Sequence, residues 1–249
     1  MVVRERADAY GEAWADVYDD EHAFMDPAGP VALLAELAGG GAVLELGIGT
    51  GRVALPLSAR GVDIRGVDAS EAMVGRLRTK QGGDGIAVEI ADMAVPGGGP
   101  YRLVFVVFNT FFALLTQDRQ IECFRNVASV LEPGGRFLLE CFVPDLARFR
   151  DGNQTVRAER VDDSRLRLHV SVHDPVGQVV CTQVLLFRAG EMTMRPVALR
   201  YCWPAEIDLM ARLAGLELVE RWGGWNREPF TSRSMQHVSV YQRPVDARA

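Results

Sequence analysis

Hydrophobic and polar residues follow two different rhythms along the chain. Between residues 42 and 142, short apolar runs are separated by amphipathic or turn-rich segments, which is typical of βαβ units around a parallel sheet. Between residues 154 and 203, apolar residues recur at every second position with no helical segment between them. The first rhythm therefore predicts an α/β core, and the second predicts an antiparallel β insert of about four strands.

Turn and cap residues divide the α/β region into its elements. The predicted strands cover residues 42–46, 62–67, 86–90, 103–108 and 136–142, with two more at 216–222 and 235–241. The apolar run at 103–108 is suited to a central strand that is buried on both faces. Ser70 is a predicted N-cap, and Pro133-Gly134-Gly135 ends the helix before the fifth strand. Pro204 begins the last helix, which Gly215 ends.

Ahead of the first strand, aromatic and apolar residues recur at helical spacing. They are Ala7, Tyr10, Trp14, Val17 and Tyr18, and one helix over them would place them on a single face. We divide the chain accordingly into an N-terminal helical arm (1–38), a core (39–150), the antiparallel insert (151–203), a segment that completes the core sheet (204–243) and a mobile tail (244–249).

Composition and charge narrow the class of protein. The 249 residues are 48% hydrophobic and 24% charged, as in an ordinary globular protein with one large domain. The net charge is −6 without a basic cluster, so neither nucleic acid nor an anionic membrane is an expected partner. The N-terminus resembles no secretory signal and no apolar run is long enough to span a membrane, so we expect a cytoplasmic location. The four cysteines lack C-x-x-C spacing and are predicted to be reduced thiols.

A glycine-rich turn joins the first predicted strand to the first helix of the core. It reads Glu45-Leu-Gly47-Ile-Gly49-Thr-Gly51-Arg52, and its glycines allow a ligand to approach the backbone beside a helix N-terminus. Dinucleotide-binding folds and S-adenosylmethionine (SAM) folds both use such a turn. The dinucleotide fingerprint requires glycine where this chain has Arg52. Glu45 suits a ligand with an ammonium group and a sulfonium better than a ligand with two phosphates.

Two acids stand at the ends of the next two predicted strands. Asp68 follows the second strand, where a carboxylate can accept hydrogen bonds from both hydroxyls of a ribose. Asp92 follows the third strand and can accept a hydrogen bond from an adenine amino group, with Met73 and Met93 as soft walls for the ring. Each acid alone is equally well explained as a surface residue after a strand. Their order and spacing together favour a nucleoside site.

These segments together resemble the class I SAM-dependent methyltransferases. The resemblance rests on the glycine-rich turn and on Gly66-Val-Asp-Ala-Ser70, Ala91-Asp-Met93, Phe108-Asn-Thr110 and Leu131-Glu-Pro-Gly-Gly135. It implies a Rossmann-like α/β sheet of strand order 3-2-1-4-5-7-6, with the antiparallel β insert as a lid over the acceptor. The cofactor contacts that it implies are Gly47, Gly49 and Gly51 beside the methionine end, Glu45 at its amino group, Asp68 at the ribose, Asp92, Met73 and Met93 at the adenine, and Phe108 and Tyr10 as further contacts.

Within the family, the insert and Trp222-Gly-Gly-Trp225 are similar to natural-product N-methyltransferases, including those of aminosugars and of linaridin peptide N-termini. This implies methyl transfer from SAM to a small-molecule or peptide amine in biosynthesis, with S-adenosylhomocysteine (SAH) as product. We expect no metal, because His169 and His173 share a strand face without further ligands. Transfer to a hydroxyl or carboxylate, an NAD(P) oxidoreductase, and a non-catalytic SAM-binding scaffold or sensor remain alternatives. Both monomer and dimer remain open.

Candidate residues for the acceptor lie just past the strand ends and on the arm. Methyl transfer from a sulfonium is an in-line displacement, so the nucleophile must be held in place and shielded from water. Asn109 can accept a hydrogen bond from the acceptor or cap its own turn. Tyr18 can reach the cofactor or acceptor, whereas Trp14 is better explained by docking of the arm. His22 is a candidate base or part of a solvated acidic loop, and Glu140 can attract a cation or pair with an arginine.

Overall fold

A computed structural model of the chain describes residues 7–149, 152–162, 165–188 and 190–245. Its strands are β1 (Val43–Leu46), β2 (Ile64–Asp68), β3 (Ala87–Ile90), β4 (Tyr101–Val106), β5 (Leu131–Phe142), β6 (Gln154–Val161), β7 (Arg165–Asp174), β8 (Val179–Arg188), β9 (Glu191–Arg200), β10 (Glu217–Trp222) and β11 (Gln236–Gln242). Its helices are α1 (Ala9–Trp14), α2 (Tyr18–Glu21), α3 (Ala28–Ala38), α4 (Ala54–Ala59), α5 (Glu71–Arg78), α6 (Gln117–Val130) and α7 (Pro204–Leu213). Residues 1–6 of the predicted arm and 246–249 of the predicted tail lie outside the described residues.

The larger of two sheets has the predicted strand order. It contains seven strands in the order β10-β11-β5-β4-β1-β2-β3, which is 3-2-1-4-5-7-6 when its own strands are numbered along the chain. β11 runs antiparallel to β5 and β10, and the other neighbouring strands are parallel. The Rossmann-like α/β prediction is therefore confirmed. The carboxyl ends of β1 to β5 meet at one edge of the sheet, where such folds bind ligands.

The centre of the core sheet is buried on both faces, as predicted for the apolar run at 103–108. Leu103 and Phe105 of β4 are fully buried with residues of α3 and α4. Val104 and Val106 are equally buried on the opposite face, with residues of α6 and α7. Because both faces of β4 are covered by the chain's own helices, the positions from Leu103 to Val106 are all apolar and buried.

The fifth strand begins earlier than the sequence predicts. α6 continues to Val130, and β5 starts directly at Leu131 instead of residue 136. The pairing with β4 then shifts, because Tyr101 lies opposite Leu131 but Leu103 lies opposite Arg136. The residues between these partners bulge out of the ladder. Proline has no N–H to donate and Gly134 adopts a φ of 79°, so the Pro-Gly-Gly run interrupts the ladder without preventing the strand.

The single N-terminal helix expected over residues 7–18 is wrong. This part of the arm instead forms two short helices, α1 and α2, with a turn after Trp14, and α3 follows later in the arm. Trp14 is buried with Met73 of α5 and with Val184 and Leu186 of the insert. The turn allows Tyr18, at the start of α2, to approach Phe108 past the end of β4. In one continuous helix, Trp14 and Tyr18 would point to the same side. They could then not contact both the insert and the end of β4.

The insert is an antiparallel sheet of four strands in the order β6-β7-β8-β9, which confirms the prediction of an antiparallel β insert. The arm packs against one face of this sheet through Trp14, whose indole N–H donates a hydrogen bond of 3.2 Å to the Pro196 carbonyl. Ser70 caps α5 as predicted, since its hydroxyl accepts a hydrogen bond from the Met73 N–H. Among the described residues, no helix combines the length and the apolar character needed to cross a bilayer.

Candidate active site

The three glycines of the turn between β1 and α4 all adopt left-handed backbone conformations, with φ of 70°, 56° and 80° at Gly47, Gly49 and Gly51. A Cβ at Gly47 would lie 2.5 Å from a Thr110 methyl group, and a Cβ at Gly51 would lie 2.2 Å from a Leu77 methyl group. At Gly49 it would meet only the Gly47 carbonyl at 4.0 Å. Packing therefore accounts for two of the glycines, and Gly49 is the one that borders open space.

Glu45 lies beneath this turn and is buried, at 3% exposure. Its Oε2 has no hydrogen-bond partner within the described part of the chain. Burial raises the pKa of Glu45 well above its usual range, while the nearby Arg52 opposes this shift. A buried carboxylate oxygen without a donor is costly, so this side chain is suited to a cationic donor supplied by a ligand.

Arg52 is central to the site, although its place in the sequence indicated only a departure from the dinucleotide fingerprint. Its guanidinium lies 5.2 Å from the centre of the Phe108 ring and donates a hydrogen bond to the Tyr18 hydroxyl. Its buried Nε has no hydrogen-bond partner among the described residues. The available signal was an arginine placed directly after a glycine-rich turn, where a charged side chain must face the ligand or the solvent.

Asp68 closes the turn from the end of β2. Its Oδ2 accepts a hydrogen bond of 2.7 Å from the Gly49 N–H, and its Oδ1 accepts one of 2.9 Å from the Ser70 N–H. Burial raises the pKa of this carboxyl, against the effect of these N–H donors. Each carboxylate oxygen accepts one backbone hydrogen bond and retains a further lone pair. The pair of oxygens can therefore receive two hydroxyl groups from the ligand side.

The third predicted acid is held by an arginine. Asp92 accepts a hydrogen bond of 2.8 Å from the Ala94 N–H and forms an ion pair of 2.5 Å with Arg119 of α6. Met93 packs against the core beside these residues. Met73 lies elsewhere, buried against Trp14 of the arm. Asp68, Asp92 and Met93 thus lie at neighbouring strand ends, whereas Met73 contacts the arm.

The arm places a cluster of aromatic rings over the end of β4. The Tyr18 ring lies 6.5 Å from the rings of both Tyr10 and Phe108, and it lies 4.5 Å from the His22 ring. Burial raises the pKa of both Tyr10 and Tyr18, so both hydroxyls stay protonated. The part of the Tyr18 side chain that protein atoms do not cover borders a cavity. Tyr10 and Tyr18 therefore offer donors to the interior and not to bulk water.

His22 is buried instead of lying in a solvated loop. Its ring lies 5.1 Å from the Phe108 ring, and its Nδ1 lies 2.8 Å from the Tyr18 carbonyl oxygen. A carbonyl only accepts hydrogen bonds, so Nδ1 carries the hydrogen and Nε2 keeps its lone pair. Burial lowers the pKa of the imidazole. His22 is therefore neutral near pH 7 and able to accept a proton at Nε2.

The segment after β4 adopts a backbone that ordinary residues rarely use. Phe108 and Asn109 have φ of 57° and 60°, and the side-chain Oδ1 of Asn109 accepts a hydrogen bond of 2.6 Å from the Phe142 N–H. The Glu140 carboxylate accepts a hydrogen bond of 2.7 Å from the Phe108 N–H. The Asn109 side-chain amide thus already links the turn after β4 to the end of β5. Two side chains together hold this strained turn at the strand edge.

Glu140 is the second buried acid of the site. In addition to the Phe108 N–H, it receives a hydrogen bond from the Trp225 indole, and burial raises the pKa of its carboxyl. The side chain borders a cavity of about 290 Å³ that is also lined by Asp26, Met25 and Trp225. Arg52 and Met25 line this cavity and also a neighbouring one of about 340 Å³, which His22 and Tyr18 border.

The histidines of the insert are engaged with protein groups. His169 lies 2.8 Å from a Glu159 oxygen, and His173 lies 3.0 Å from the Tyr201 hydroxyl. Within residues 7–149, 152–162, 165–188 and 190–245, no cluster of three or more His, Cys, Asp or Glu side chains is arranged to hold a metal ion.

Comparisons with known proteins agree with this arrangement. A model of the methyltransferase domain matches residues 43–135. The cypemycin N-terminal methyltransferase of a Streptomyces species is 30% identical over 238 residues, which cover 94% of this chain and 97% of that protein. The CcbJ methyltransferase of Streptomyces caelestis is 39% identical with a TM-score of 0.87, over 96% of this chain and 99% of that one. The SAM-bound amino pentose methyltransferase CalS10 of Micromonospora echinaspora shares the fold, at 21% identity and a TM-score of 0.71 over 91% and 96% of the two chains.

The residues around the turn fit such a cofactor chemically. Glu45 lacks a donor, the Arg52 guanidinium lacks an anionic partner at Nε, and the Asp68 carboxylate has free lone pairs. SAM carries an ammonium, a carboxylate and two ribose hydroxyls, which match these three needs in turn. The open space at Gly49 lies between them. The strand order of the core sheet, the glycine-rich turn and the relatives matched over almost their whole length agree. The chain therefore belongs to the class I SAM-dependent methyltransferases.

Proposed function

We propose that this chain transfers the methyl group of SAM to an amine of a natural-product acceptor, either a small molecule or a peptide. The observation that carries the proposal is the cavity beside Arg52, which is lined by the acids Glu140 and Asp26 and by the rings of Trp225 and Phe24. Carboxylates and aromatic faces attract a cation before it gives up its proton. The relatives named for a peptide N-terminus and for an amino pentose add support.

In this proposal the methionine end of the cofactor lies over Gly49, between Glu45 and Arg52. Glu45 accepts hydrogen bonds from the ammonium, and Arg52 pairs with the carboxylate. Tyr18, which already contacts Arg52, and Tyr10 beside it contribute hydroxyl donors. Gly47 and Gly51 hold the shape of the turn. This division follows from the contacts that a Cβ would make at each glycine.

The nucleoside end extends along the neighbouring strand ends. Asp68 receives the ribose hydroxyls, while Asp92, already oriented by Arg119, accepts from the adenine amino group. Met93 forms a wall of the adenine pocket, and Phe108 contacts the cofactor from the end of β4. Met73 takes part indirectly in this arrangement, because it anchors Trp14 and thereby the arm.

The bound cofactor supplies an electrophilic methyl group on a sulfonium. The chain must then orient the amine in line with the breaking C–S bond and remove one proton from it. Glu140 attracts and orients the acceptor, and the neutral His22 accepts the proton at Nε2. Asn109 holds the turn that carries Phe108. The arm residues Tyr18 and His22 exclude water from above.

The acceptor is tested by transfer of a radiolabelled methyl group to matched substrates. Peptides with free N-termini and aminosugars should be labelled, and the same compounds with acetylated amines should not be labelled. Phenols and carboxylic acids form the other arm of the panel. Labelling of hydroxyl or carboxylate acceptors, with all amines silent, would overturn the amine assignment and leave the methyltransferase assignment intact.

The cofactor position is tested with Gly49→Ala and a matched control, Gly39→Ala. Both glycines have nearly the same left-handed backbone, with φ of 56° and 54°, and a Cβ at Gly39 meets nothing within 4 Å. The cost of an alanine in this conformation, about 1 kcal/mol, is therefore common to both variants. Calorimetry should show SAH affinity at least tenfold weaker in Gly49→Ala alone. Equal affinity in both variants would remove Gly49 from the site.

The acceptor position is tested with Glu140→Gln. Glutamine keeps an oxygen that accepts from the Phe108 N–H and loses only the charge, so the turn should survive. We expect KM for an amine acceptor to rise about tenfold, equivalent to about 1.4 kcal/mol, with SAH affinity unchanged. Glu132→Gln is the control, since Glu132 pairs with Arg102 away from both cavities. An unchanged KM in Glu140→Gln would exclude Glu140 from acceptor binding.

A further inference from the structure

The insert sheet has one polar and one apolar face, and the polar face is the one turned toward the arm. Arg195 donates hydrogen bonds of 2.8 Å to both oxygens of Asp16 in the arm. Arg167 of the same face pairs with Glu21 at 3.2 Å. Ser171 and Thr182 lie on this face as well, and their hydroxyls are 2.8 Å apart. We name it the inner face.

Strand geometry assigns the residues between these positions to the opposite side, which we name the outer face. The strand pairings arrange most of them in four rows across the sheet; a fifth row at one end, Asp174, Val179 and Arg200, adjoins α7, where Arg200 pairs with Glu206. The four rows are Val161, Leu166, Phe187 and Met192; Ala158, Leu168, Leu185 and Met194; Val156, Val170, Gln183 and Pro196; and Gln154, Val172, Cys181 and Ala198. None of these side chains is ionisable at neutral pH, and only the two glutamines are strongly polar.

Large apolar side chains of the outer face remain exposed in the single chain. Met192 and Met194 are 55% and 62% exposed, and Val156 and Val170 are 69% and 37% exposed. The face therefore differs from the usual half-solvated antiparallel sheet, in which polar residues alternate outward. A contiguous apolar patch of this extent marks an interaction surface in most soluble proteins.

The area of the outer face agrees with what a stable dimer requires. Four strands at a spacing of about 4.8 Å and about 30 Å of strand length give roughly 600 Å² per face. Two such faces bury about 1,200 Å² in total, where specific protein–protein interfaces begin. Sheets pack face to face at a distance of about 10 Å, with interleaved apolar side chains.

The chemistry of the face favours a second copy of this chain as its occupant. Near a two-fold axis, each residue lies close to the same residue of the other copy. A charged side chain there would therefore be repelled by an identical charge. Because the four rows named above carry no ionisable group, this penalty is absent there. Arg195 and Arg167 lie on the inner face and are paired with the arm. We propose that the chain forms a two-fold dimer in which the outer faces of two insert sheets pack together.

The proposal is tested by measuring molar mass with light scattering and sedimentation from about 0.5 to 100 µM. The wild type should be dimeric, and Val170→Glu and Met194→Glu should each weaken the dimer at least a hundredfold. Both side chains are exposed in the single chain, so an unchanged circular dichroism melt at low concentration will show that the fold is kept. Leu213→Glu is the control, because Leu213 is 61% exposed on α7 and should leave the dimer intact.

Two further readouts locate the contact. Val170 lies near the middle of the outer face, so mixing Val170→Glu with Val170→Lys should restore a mixed dimer. Cys181 lies on the same face and is the one cysteine of four that is not buried, so its reaction with a thiol reagent should slow as the protein concentration rises. A monomeric wild type at 100 µM would overturn the proposal. A dimer that resists both outer-face variants, or that Leu213→Glu also dissociates, would overturn it as well.

Discussion

The core sheet and the insert sheet bury their faces in different ways. In the core, helices of the same chain cover both faces, and Leu103 and Val104 of β4 are both fully buried although they point in opposite directions. In the insert, one face is held to the arm by ion pairs, and the other is apolar and partly exposed. The core is therefore complete within one chain, whereas the insert depends on the arm and on what packs outside it.

The contact between arm and insert joins acids to arginines across a long separation in sequence. Glu21 of α2 is buried and pairs with Arg167 and Arg188 of the insert. Asp16 pairs with Arg195 on a neighbouring strand. Insert and arm are thus held together by ion pairs in addition to the apolar contacts of Trp14. Such a contact responds to pH and salt, which a purely apolar core does not.

The largest difference between the sheets should appear on loss of an aromatic ring. Phe105→Ala removes a fully buried ring from the central strand and should cost about 3–5 kcal/mol of unfolding free energy. Phe187→Ala, the same change on the outer face of the insert, should cost only about 1 kcal/mol in dilute solution, because the ring is half-buried there. Urea unfolding of both variants measures the difference. Equal costs would contradict the view that the core alone is complete within the chain.

A second, smaller effect should be seen when an ion pair between arm and insert is lost, and it should affect the arm and not the core. Glu21→Gln leaves Arg167 and Arg188 without their shared carboxylate. We expect a cost of about 2–3 kcal/mol to arm docking, below that of a fully buried pair because Arg188 is partly exposed. Limited proteolysis should then cut the arm near residues 15–26 first, while the core fragment stays intact. Asp20→Asn, a neighbouring exposed acid, is the control and should leave the cleavage rate unchanged.

Acidification should loosen the arm–insert contact at Asp16 and the ion pairs of Glu159 within the insert before it affects the core. The hydrogen bond from Arg195 lowers the pKa of Asp16, and His169 together with Arg167 lowers the pKa of Glu159 to about 2. A carboxyl with a lowered pKa stabilises the fold fully above its unfolded pKa, and this contribution is lost as the pH falls through the folded value. For Glu159 this range runs from about pH 4.5 down to about 2.

The buried acids of the site respond with the opposite sign. Burial raises the pKa of Glu45 and Glu140, so protonation at low pH relieves their desolvation cost instead of breaking a pair. Hydrogen exchange, corrected for its intrinsic pH dependence, should therefore show the arm losing protection as the pH falls below 3.8, the ordinary pKa of Asp16, while β4 stays protected. Loss of protection in both regions at one pH would show that the two sheets unfold as a unit.

The smallest effect on stability should come from Tyr18→Phe. The hydroxyl contacts Arg52 and borders a cavity, so its loss should lower the methyl-transfer rate about tenfold, equivalent to about 1.4 kcal/mol. Unfolding free energy should change by less than about 0.5 kcal/mol. Tyr201→Phe is the matched control, because that hydroxyl bonds to His173 in the insert. A rate loss of the same size in both variants would exclude a specific role for Tyr18.

Local signals account for what the sequence predicted well. The apolar run of β4, the glycines of the turn and the Ser70 cap each depend on neighbouring residues, so one sequence suffices to find them. The position of Arg52 between Glu45 and Glu140 arises only when β1, β5 and α4 come together in space. The end of α1 at Trp14 and the start of α2 at Tyr18 could not be predicted either. Both residues fit the spacing of one helix, and only their tertiary contacts distinguish two helices.

The insert shows a further limit of sequence patterns. Period-2 alternation predicted its strands, but the inner face also contains the apolar residues Val184 and Leu186. Alternation alone therefore does not say which face turns to the arm. That choice depends on the ion pairs with Asp16 and Glu21, which lie about 150 or more residues earlier in the chain.

Chemical labelling of Lys80 can report on the contact between the glycine-rich turn and the arm. It is the sole lysine in the sequence, and its ammonium bonds to the Thr50 carbonyl of the glycine turn and to Asp19 of α2, both at 2.8 Å. An amine-reactive label can therefore modify only this side chain and the α-amino terminus, which peptide masses distinguish. Since the ammonium bridges the turn and the arm, the labelling rate at Lys80 will follow opening of the arm in the unmutated protein.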